Sequence, residues 1–214
     1  TDSLQQKTDK HTRIIHVVNP NNPTGRILTD TNRQALVSSA AGVGAWIVAD
    51  EVYAGTELNS GTPTQSFWGE YERVIAINSM SKAYGLPGLR LGWMVAPADV
   101  IEACWRRHEY AAIAATIFSM KLADYALAKT AREKLRARAR ALIRHGFDNF
   151  TAALDSHPGV FSVVPPQASA MSFPRFNLPI SSEDLARRLL KEEGVLMIPG
   201  TKFGVENHFR FSSA

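Results

Sequence analysis

One lysine, Lys82, lies in a stretch of the sequence whose residue types suit a phosphorylated ligand. Ser79 and Ser81 precede it within three positions, and Arg90 follows it eight positions later. Hydroxyl groups bind phosphate oxygens, and the planar guanidinium of arginine binds them through paired hydrogen bonds. A lysine amine among these groups would face the ligand and is a known type of covalent catalyst. The stretch therefore predicts a phosphate site with a reactive amine, and the alternative is an ordinary solvated lysine.

An acidic residue occupies a matching place on another segment. Asp50 directly follows the apolar run AWIVA (45–49), so we expect its carboxylate at the end of a buried strand. A carboxylate in that position must find a cationic partner or become neutral. Pyridoxal phosphate needs a lysine for its Schiff base and an acid opposite its ring nitrogen. The lysine, the phosphate-binding residues and the acid together suggest this cofactor.

The elements that must position these residues follow from apolar runs in the first half of the chain. Runs without alternation, separated by helices and loops, are typical of strands that are covered on both faces of a partly parallel sheet. A helix with Thr29 or Asp30 as its N-cap should follow the first run. The predicted strands are 13–18, 45–49, 73–78 and 89–96. The candidate residues lie at strand ends, where α/β proteins place their sites.

The second half of the chain has a different character. Residues 97–155 have a helical pattern, and 131–154 predict one long helix. Four arginines spaced four apart form one stripe on this helix: Arg132, Arg136, Arg140 and Arg144. We interpret this stripe as a solvated edge of the helix rather than a nucleic-acid contact. A helix over 182–193, capped by Ser181 or Ser182, should lie among short strands. Those predicted strands are 160–164, 168–173 and 195–198.

Bulk properties exclude several classes of protein. The chain has 214 residues, a net charge of +4 and a single cysteine, so it can form no internal disulfide. No apolar run approaches the length of a membrane span. The polar start of the sequence lacks the apolar core of a signal peptide, which predicts a cytoplasmic protein. The modest charge does not by itself imply nucleic acid, and we expect no metal, nucleic-acid or membrane partner.

Five stretches of the sequence resemble the signature segments of fold-type I, class I/II aminotransferases. They are NPNNPTG (19–25), ADEVYAG (49–55), SMSKAYGLPGLRLGW (79–93), GVLMIPGTKFG (194–204) and HFRFSSA (208–214). They occur in the family's order with similar spacing, and the resemblance runs from residue 13 to residue 214. It implies a three-layer αβα sandwich, partly present in residues 1–125. An interdomain helix and a small C-terminal α/β domain should occupy residues 126–214.

The resemblance also implies a role for each matching residue. Lys82 would form the Schiff base with pyridoxal phosphate and then move the proton between the substrate Cα and the cofactor C4′. Asp50 would pair with the pyridine nitrogen, and Tyr53 and Asn22 would hydrogen-bond the phenolic oxygen. Ser79, Ser81 and Arg90 would bind the phosphate, and Arg210 would bind the substrate carboxylate. Because Arg90 and Arg210 sit in apolar sequence, we expect both to be buried against an anion.

The match also indicates what the chain lacks. Members of this family carry a long part before the NPxNPTG loop and a final helix after the last motif, so we expect this chain to be a fragment. By analogy the parent protein should be a homodimer, in which residues 106–119 approach the neighbouring site.

The sequence does not determine the type of reaction or the substrate. Transamination between an amino acid and a 2-oxo acid is the leading hypothesis. The same residues serve relatives that act as C–S lyases, eliminases, decarboxylases or cyclases. A non-enzymatic alternative is the cofactor-sensing domain of a transcription regulator. Arg210 implies an α-carboxylate on the substrate and nothing about its side chain.

Overall fold

The computed structural model describes residues 2–214 of the chain, and side chains from residue 4 onward. It places a four-stranded sheet in the first half of the chain, with helices before, between and after its strands. The strands are β1 (Ile14–Val18), β2 (Trp46–Asp50), β3 (Val74–Ser79) and β4 (Gly92–Val95). The helices are α1 (Asp2–Lys7), α2 (Asp30–Val43), α3 (Ala98–Ala111), α4 (Ile117–Leu127) and α5 (Lys129–Asp155).

The sheet has the order β1-β2-β3-β4. β1, β2 and β3 are parallel, and β4 runs antiparallel to β3 at the edge. The predicted mixed α/β fold with a partly parallel sheet is therefore confirmed. The parallel strands end at the same edge of the sheet. Asp50 and Ser79 are the last residues of β2 and β3, and Asn22, Tyr53, Ser81 and Lys82 lie within four positions after a strand end.

The core of this part lies on one face of the sheet. α2 begins where Thr29 accepts a hydrogen bond from the Asn32 amide, as predicted, and it packs its buried residues against the strands. Burial alternates along β2 and β3, so the second face is only half-buried among the described residues. The buried cluster consists of Ile15, Leu36, Ala40, Ala45, Ile47, Ala49, Phe67, Val74 and Ala76.

Short antiparallel strands make up the C-terminal part. The long helix is confirmed, and α6 (Ser182–Arg188) begins at the predicted cap Ser181, which accepts from the Asp184 amide. A single π-helical turn, Leu189–Glu193, follows it. β5 (Phe161–Ser162) and β6 (Met171–Ser172) lie within two of the predicted strands and are shorter, and β8 (Ile198–Pro199) begins at the last residue of the third. β7 (Arg175–Phe176) and β9 (Phe209–Ser212) were not predicted. β5 pairs with β7, and β9 lies between β6 and β8. The predicted domain boundary at 125/126 falls in the last turn of α4 and stays a prediction.

A tight contact joins the loop after β1 to the C-terminal part. The Gly25 carbonyl accepts hydrogen bonds from the amides of Gln167, at 2.8 Å, and Ala168, at 3.0 Å. Gly25 has a φ of +65°, and a Cβ added there would lie 2.4 Å from the Pro166 Cβ and 2.7 Å from the Met171 carbonyl oxygen. Both the backbone conformation and the space require glycine at this position.

We therefore expect Gly25→Ala to lower the free energy of unfolding by more than about 2 kcal/mol, because it combines a left-handed alanine with a backbone clash. Urea denaturation followed by circular dichroism measures this change. Gly61→Ala is the matched control, since no atom lies within 4 Å of a Cβ added there. It should change the stability by less than about 0.5 kcal/mol. Equal effects of the two substitutions would contradict the packing account.

Candidate functional site

The loop after β1 is organised by its asparagines. The buried Asn19 accepts a hydrogen bond from the Leu28 amide at 3.0 Å, and the Asn21 Oδ1 accepts from the Thr24 amide and hydroxyl. Asn22 directly follows Asn21, and its side chain contacts the C-terminal part. Its Oδ1 accepts from the Arg210 Nη1 at 3.4 Å, although the two residues are 188 positions apart.

Arg210 is half-buried on β9, with its guanidinium 5.5 Å from the centre of the Phe203 ring. No carboxylate lies within ion-pair distance of it in the described part of the chain. The expectation of a buried Arg210 is thus met in part, because one side of the group contacts protein. A half-buried guanidinium without a protein anion has donors free to bind a carboxylate ligand.

The end of β2 carries Asp50 and Tyr53. The half-buried Asp50 carboxylate accepts from the Val52 amide at 3.2 Å, and this is its one hydrogen bond within residues 4–214. Tyr53 is only 5% exposed. Burial raises the pKa of its phenol, while the Arg210 charge lowers it, the Asp50 charge raises it and a hydrogen bond with Ser169 lowers it. Because the net shift is upward, the phenol stays protonated at neutral pH and can donate a hydrogen bond.

The segment after β3 carries Ser79, Ser81 and Lys82 on a tight turn. The Ser79 hydroxyl accepts from the Ser81 amide at 3.3 Å, and the Lys82 carbonyl accepts from the Gly85 amide at 3.0 Å. Lys82 itself is exposed. The turn packs on the rest of the protein through the buried side chains of Met80, Ala83 and Tyr84.

The expectation of a buried Arg90 is wrong. Its side chain is exposed, and its guanidinium donates to the Pro87 carbonyl at 3.1 Å. Arg90 follows a short 3-10 turn, Pro87–Leu89, and has a φ of +49°. The apolar neighbours Leu89 and Leu91 suggested that Arg90 would be buried. The turn directs their side chains into the core and the Arg90 side chain outward. Arg90 therefore has most of its donors free, and no protein carboxylate pairs with it in the described part of the chain.

One cavity of about 380 Å³ brings part of the predicted set together. Tyr53, Ser81 and Lys82 line it, and residues of α5 and of the C-terminal strands close its other sides. Asn22 and Arg210 form the separate pair described above, and the charges of Arg210 and Asp50 reach the Tyr53 phenol. Ser79 and Arg90 do not line this cavity, although Ser79 precedes the turn that carries Lys82 and Arg90 follows it.

Two groups of contributing residues were not recognised from the sequence. Ser169, fully buried with a φ of +71°, accepts from the Met171 amide at 3.1 Å and lies near enough to the Tyr53 phenol to lower its pKa. No local pattern distinguishes it from any other serine. The interpretation of the α5 arginines as a solvated edge is wrong for Arg136 and Arg140, which are half-buried, whereas Arg144 is exposed. Arg136, Arg140 and Arg144 donate to groups of the segments that carry Tyr53 and Lys82.

The fold and these residues define an α/β protein with a lysine, an acid and serine hydroxyls at or just after the ends of parallel strands. The family model described as aminotransferase class I and II matches residues 1–214. The chain belongs to this family, and the predicted resemblance is confirmed. Membership implies pyridoxal phosphate as the cofactor.

Several known proteins are similar to this chain over nearly its whole length. Aromatic-amino-acid aminotransferase 2 of Thermococcus litoralis is 30% identical, over 100% of this chain and 56% of its own length. Capreomycidine synthase of Streptomyces vinaceus is 29% identical, over 98% of this chain and 53% of its own. The structure of a PLP-dependent aminotransferase from Streptococcus suis superposes with a TM-score of 0.87 at 31% identity, covering 99% and 55%. The chain thus spans about half the length of the relatives that it matches.

The donor set fits the implied cofactor. Asp50 has an acceptor to spare for a protonated ring nitrogen, and Tyr53 is a protonated donor for a phenolic oxygen. The serine hydroxyls and the free donors of Arg90 suit a phosphate. Within residues 4–214, no cluster of side chains suits a metal ion, and no helix of the described part is long and apolar enough to cross a membrane. Where in the cell the protein works stays a prediction.

The Tyr53 phenol should ionise above the ordinary tyrosine value of about pH 10. Replacing Arg210 by glutamine should raise this midpoint further, because the substitution removes a positive charge that favours the phenolate. Carbon-13 NMR of Cζ-labelled tyrosine, assigned with Tyr53→Phe, measures it. The charge-matched control is Arg187→Gln, whose arginine lies on α6 beside Asp184 and should leave the midpoint unchanged. A midpoint below 10 in the unsubstituted protein would contradict the assigned environment.

Proposed function

We propose that the protein containing this chain is a pyridoxal-phosphate-dependent aminotransferase that moves an amino group between an amino acid and a 2-oxo acid. The single observation that carries the proposal is the cavity that Lys82 and Tyr53 share at the ends of parallel strands. Family membership and the names of the aminotransferase relatives support it. The substrate side chain is left open.

Three groups of residues would hold the cofactor. Asp50 would pair with the ring nitrogen, Tyr53 and Asn22 would hydrogen-bond the phenolic oxygen, and Ser79, Ser81 and Arg90 would bind the phosphate. When bound, pyridoxal phosphate supplies an aldehyde that condenses with amines and a ring that withdraws electrons from the substrate Cα. The Asp50 carboxylate strengthens this withdrawal, since a carboxylate keeps the ring nitrogen protonated.

Lys82 carries the proton transfer in this proposal. Its amine would take the proton from the substrate Cα and return it at the cofactor C4′. The same group would therefore act first as base and then as acid. The exposed side chain has the freedom that the two positions require. The phenol of Tyr53 remains a donor throughout, because its raised pKa keeps it protonated at neutral pH.

Arg210 binds the substrate α-carboxylate. The Asn22 amide oxygen holds one nitrogen of the guanidinium, and this leaves the other donors for the two carboxylate oxygens. In this proposal the Asn22 side chain would also hydrogen-bond the phenolic oxygen of the cofactor. Carboxylate binding and cofactor binding are therefore built on one asparagine.

The half-reaction tests this function on the full-length protein that contains the chain. Loaded with pyridoxal phosphate and mixed with a panel of amino acids, it should release one 2-oxo acid per site before a second substrate is added. Lys82→Ala should slow this release by at least about 10²–10⁴-fold, because the proton carrier is lost. Mass spectrometry of the quenched mixture gives the product and its rate.

Two further variants make the test specific. Arg210→Gln should raise the KM for the amino donor about 10- to 100-fold, through loss of charged hydrogen bonds, and leave cofactor affinity unchanged. Lys191→Ala removes an exposed lysine on another surface and should change nothing. An unslowed Lys82→Ala protein would contradict the proposal.

The product distinguishes transamination from the alternatives. One relative is named a synthase rather than an aminotransferase, so other chemistry at the same residues is the second candidate. Release of ammonia, carbon dioxide, a thiol or a cyclised product in place of a 2-oxo acid would favour that candidate. Cofactor binding without conversion of any amino acid would favour a sensing domain.

The proposal includes a homodimer. Large apolar side chains stand exposed along α3, α4 and the segment between them, among them Tyr110 at 94% and Phe118 at 79%. Several large apolar side chains exposed this close together in the sequence favour an interaction site. The sequence resemblance favours a second copy of the chain as its occupant.

Light scattering of the full-length protein should give twice the mass of one chain, and Phe118→Asp should shift it to the monomer. Val164→Asp is the control, since Val164 is exposed in the C-terminal part, away from α3 and α4. A monomeric unsubstituted protein would overturn the dimer. A dimer that Phe118→Asp leaves intact would show that another surface forms it.

A further inference from the structure

Arg136 on α5 contacts two segments of the candidate site at once. Its Nη2 donates to the Tyr84 hydroxyl at 3.0 Å, and its guanidinium carbon lies 5.3 Å from the centre of the Tyr84 ring. On its other side it lies against Gly55, where an added Cβ would be 2.6 Å from the Arg136 Nε. Its Nε is buried without a hydrogen-bond partner among the described residues.

These two contacts are close in sequence to the residues that carry the chemistry. Gly55 follows Tyr53 by two positions, and Tyr84 follows Lys82 by two positions. Tyr84 is only 3% exposed, and its ring centre lies 6.2 Å from that of Trp93 in a tilted arrangement, so its hydroxyl has a fixed place. A single side chain therefore links the segment of Tyr53 to the turn of Lys82.

Two more arginines of the same stripe strengthen one of these links. Arg140 donates to the Gly55 carbonyl at 3.1 Å, and Arg144 donates to the Leu58 carbonyl. The buried Glu57 accepts from the Gly55 amide through both carboxylate oxygens, at 3.0 and 2.9 Å. The backbone around Gly55 is thus held from both sides, by cations at its carbonyls and by an anion at its amide.

We propose that Arg136 is a positioning residue that sets the separation between the Tyr53 phenol and the Lys82 amine across their shared cavity. Arginine suits this place because its guanidinium approaches Gly55 closely while Nη2 donates to the Tyr84 hydroxyl. Gly55 suits it because any Cβ would displace that head. What the positioned pair does rests on the proposed function, whereas the positioning itself is testable without cofactor.

Hydrogen exchange measured by NMR on the full-length protein tests the linkage. The Thr56 amide bonds to the Tyr53 carbonyl at 3.1 Å, and the Leu86 amide bonds to the Met80 carbonyl at 3.0 Å, so each reports on one segment. Arg136→Gln should speed exchange of both amides at least about tenfold, because a buried hydrogen bond to a charged donor is lost. Exchange at Ile47, which bonds to the Arg73 carbonyl at 2.8 Å in the sheet, should stay unchanged.

Lys134→Gln is the matched control, since it removes one positive charge from the exposed face of the same helix. It should leave all three amides unchanged. If Arg136→Gln does not fold, Arg136→Lys keeps the charge and most of the stem, and it should give a smaller rise at both Thr56 and Leu86. A rise at only one of these amides, at neither, or equally at Ile47 would overturn the positioning role.

Cofactor titration separates this inference from the proposed function. In an absorbance titration, Arg136→Gln should raise the Kd for pyridoxal phosphate at least about fivefold. Such an effect is modest for a residue that is coupled to the cofactor-binding residues through shared contacts. If the unsubstituted protein does not bind the cofactor, the proposed function fails and the exchange result still decides the role of Arg136. If the protein binds the cofactor and the variant binds it equally well, Arg136 has no positioning role.

Discussion

The hydrogen bonds that the Gly25 carbonyl accepts from Gln167 and Ala168 hold the candidate site together. They fix the loop after β1 against the C-terminal part at a distance that only glycine allows. Asn22 stands in that loop, and Arg210 stands on a strand that pairs with the segment following Ala168. The contact between Asn22 and Arg210, and the reach of the Arg210 charge to Tyr53, both depend on this close approach.

A second constraint is the set of buried charges around the segment between β2 and β3. Arg33 donates to the carbonyls of Gln65 and Ser66 and pairs with Glu70. Glu51 accepts from the Ser66 hydroxyl and the Phe67 amide, and burial raises the pKa of its carboxyl. The backbone groups of this segment form no strand pairing with the sheet, and the two charged side chains supply hydrogen-bond partners for them instead. Buried polar groups need such partners. The segment that presents Tyr53 is therefore ordered although it contains no helix or strand.

Local sequence patterns were sufficient for most of the elements. Apolar runs place β1, β2 and β3 to within one or two residues, because a buried strand needs a continuous apolar segment. The Thr29 and Ser181 caps follow from side-chain chemistry that acts over three residues. The motifs also name the candidate residues, since each motif is a short stretch with its own residue types.

Contacts between distant segments were beyond those patterns. The spacing of the α5 arginines shows that they share one face, but a helix period contains no information on what that face meets. Their partners at Gly55, Leu58 and Tyr84 lie 52 to 86 positions away. The exposure of Arg90 and the burial of Ser169 depend in the same way on turns with positive φ and on packing that forms only in the folded chain.

The central claim is that Lys82 is the residue that joins covalently to pyridoxal phosphate. Incubation of the protein with the cofactor, borohydride reduction and peptide mass mapping tests it most directly. We expect a single reduced adduct on Lys82, with no adduct in Lys82→Ala and an undiminished one in Lys191→Ala. An adduct that maps to another lysine, or one that survives in Lys82→Ala at equal yield, would contradict the assignment of the site.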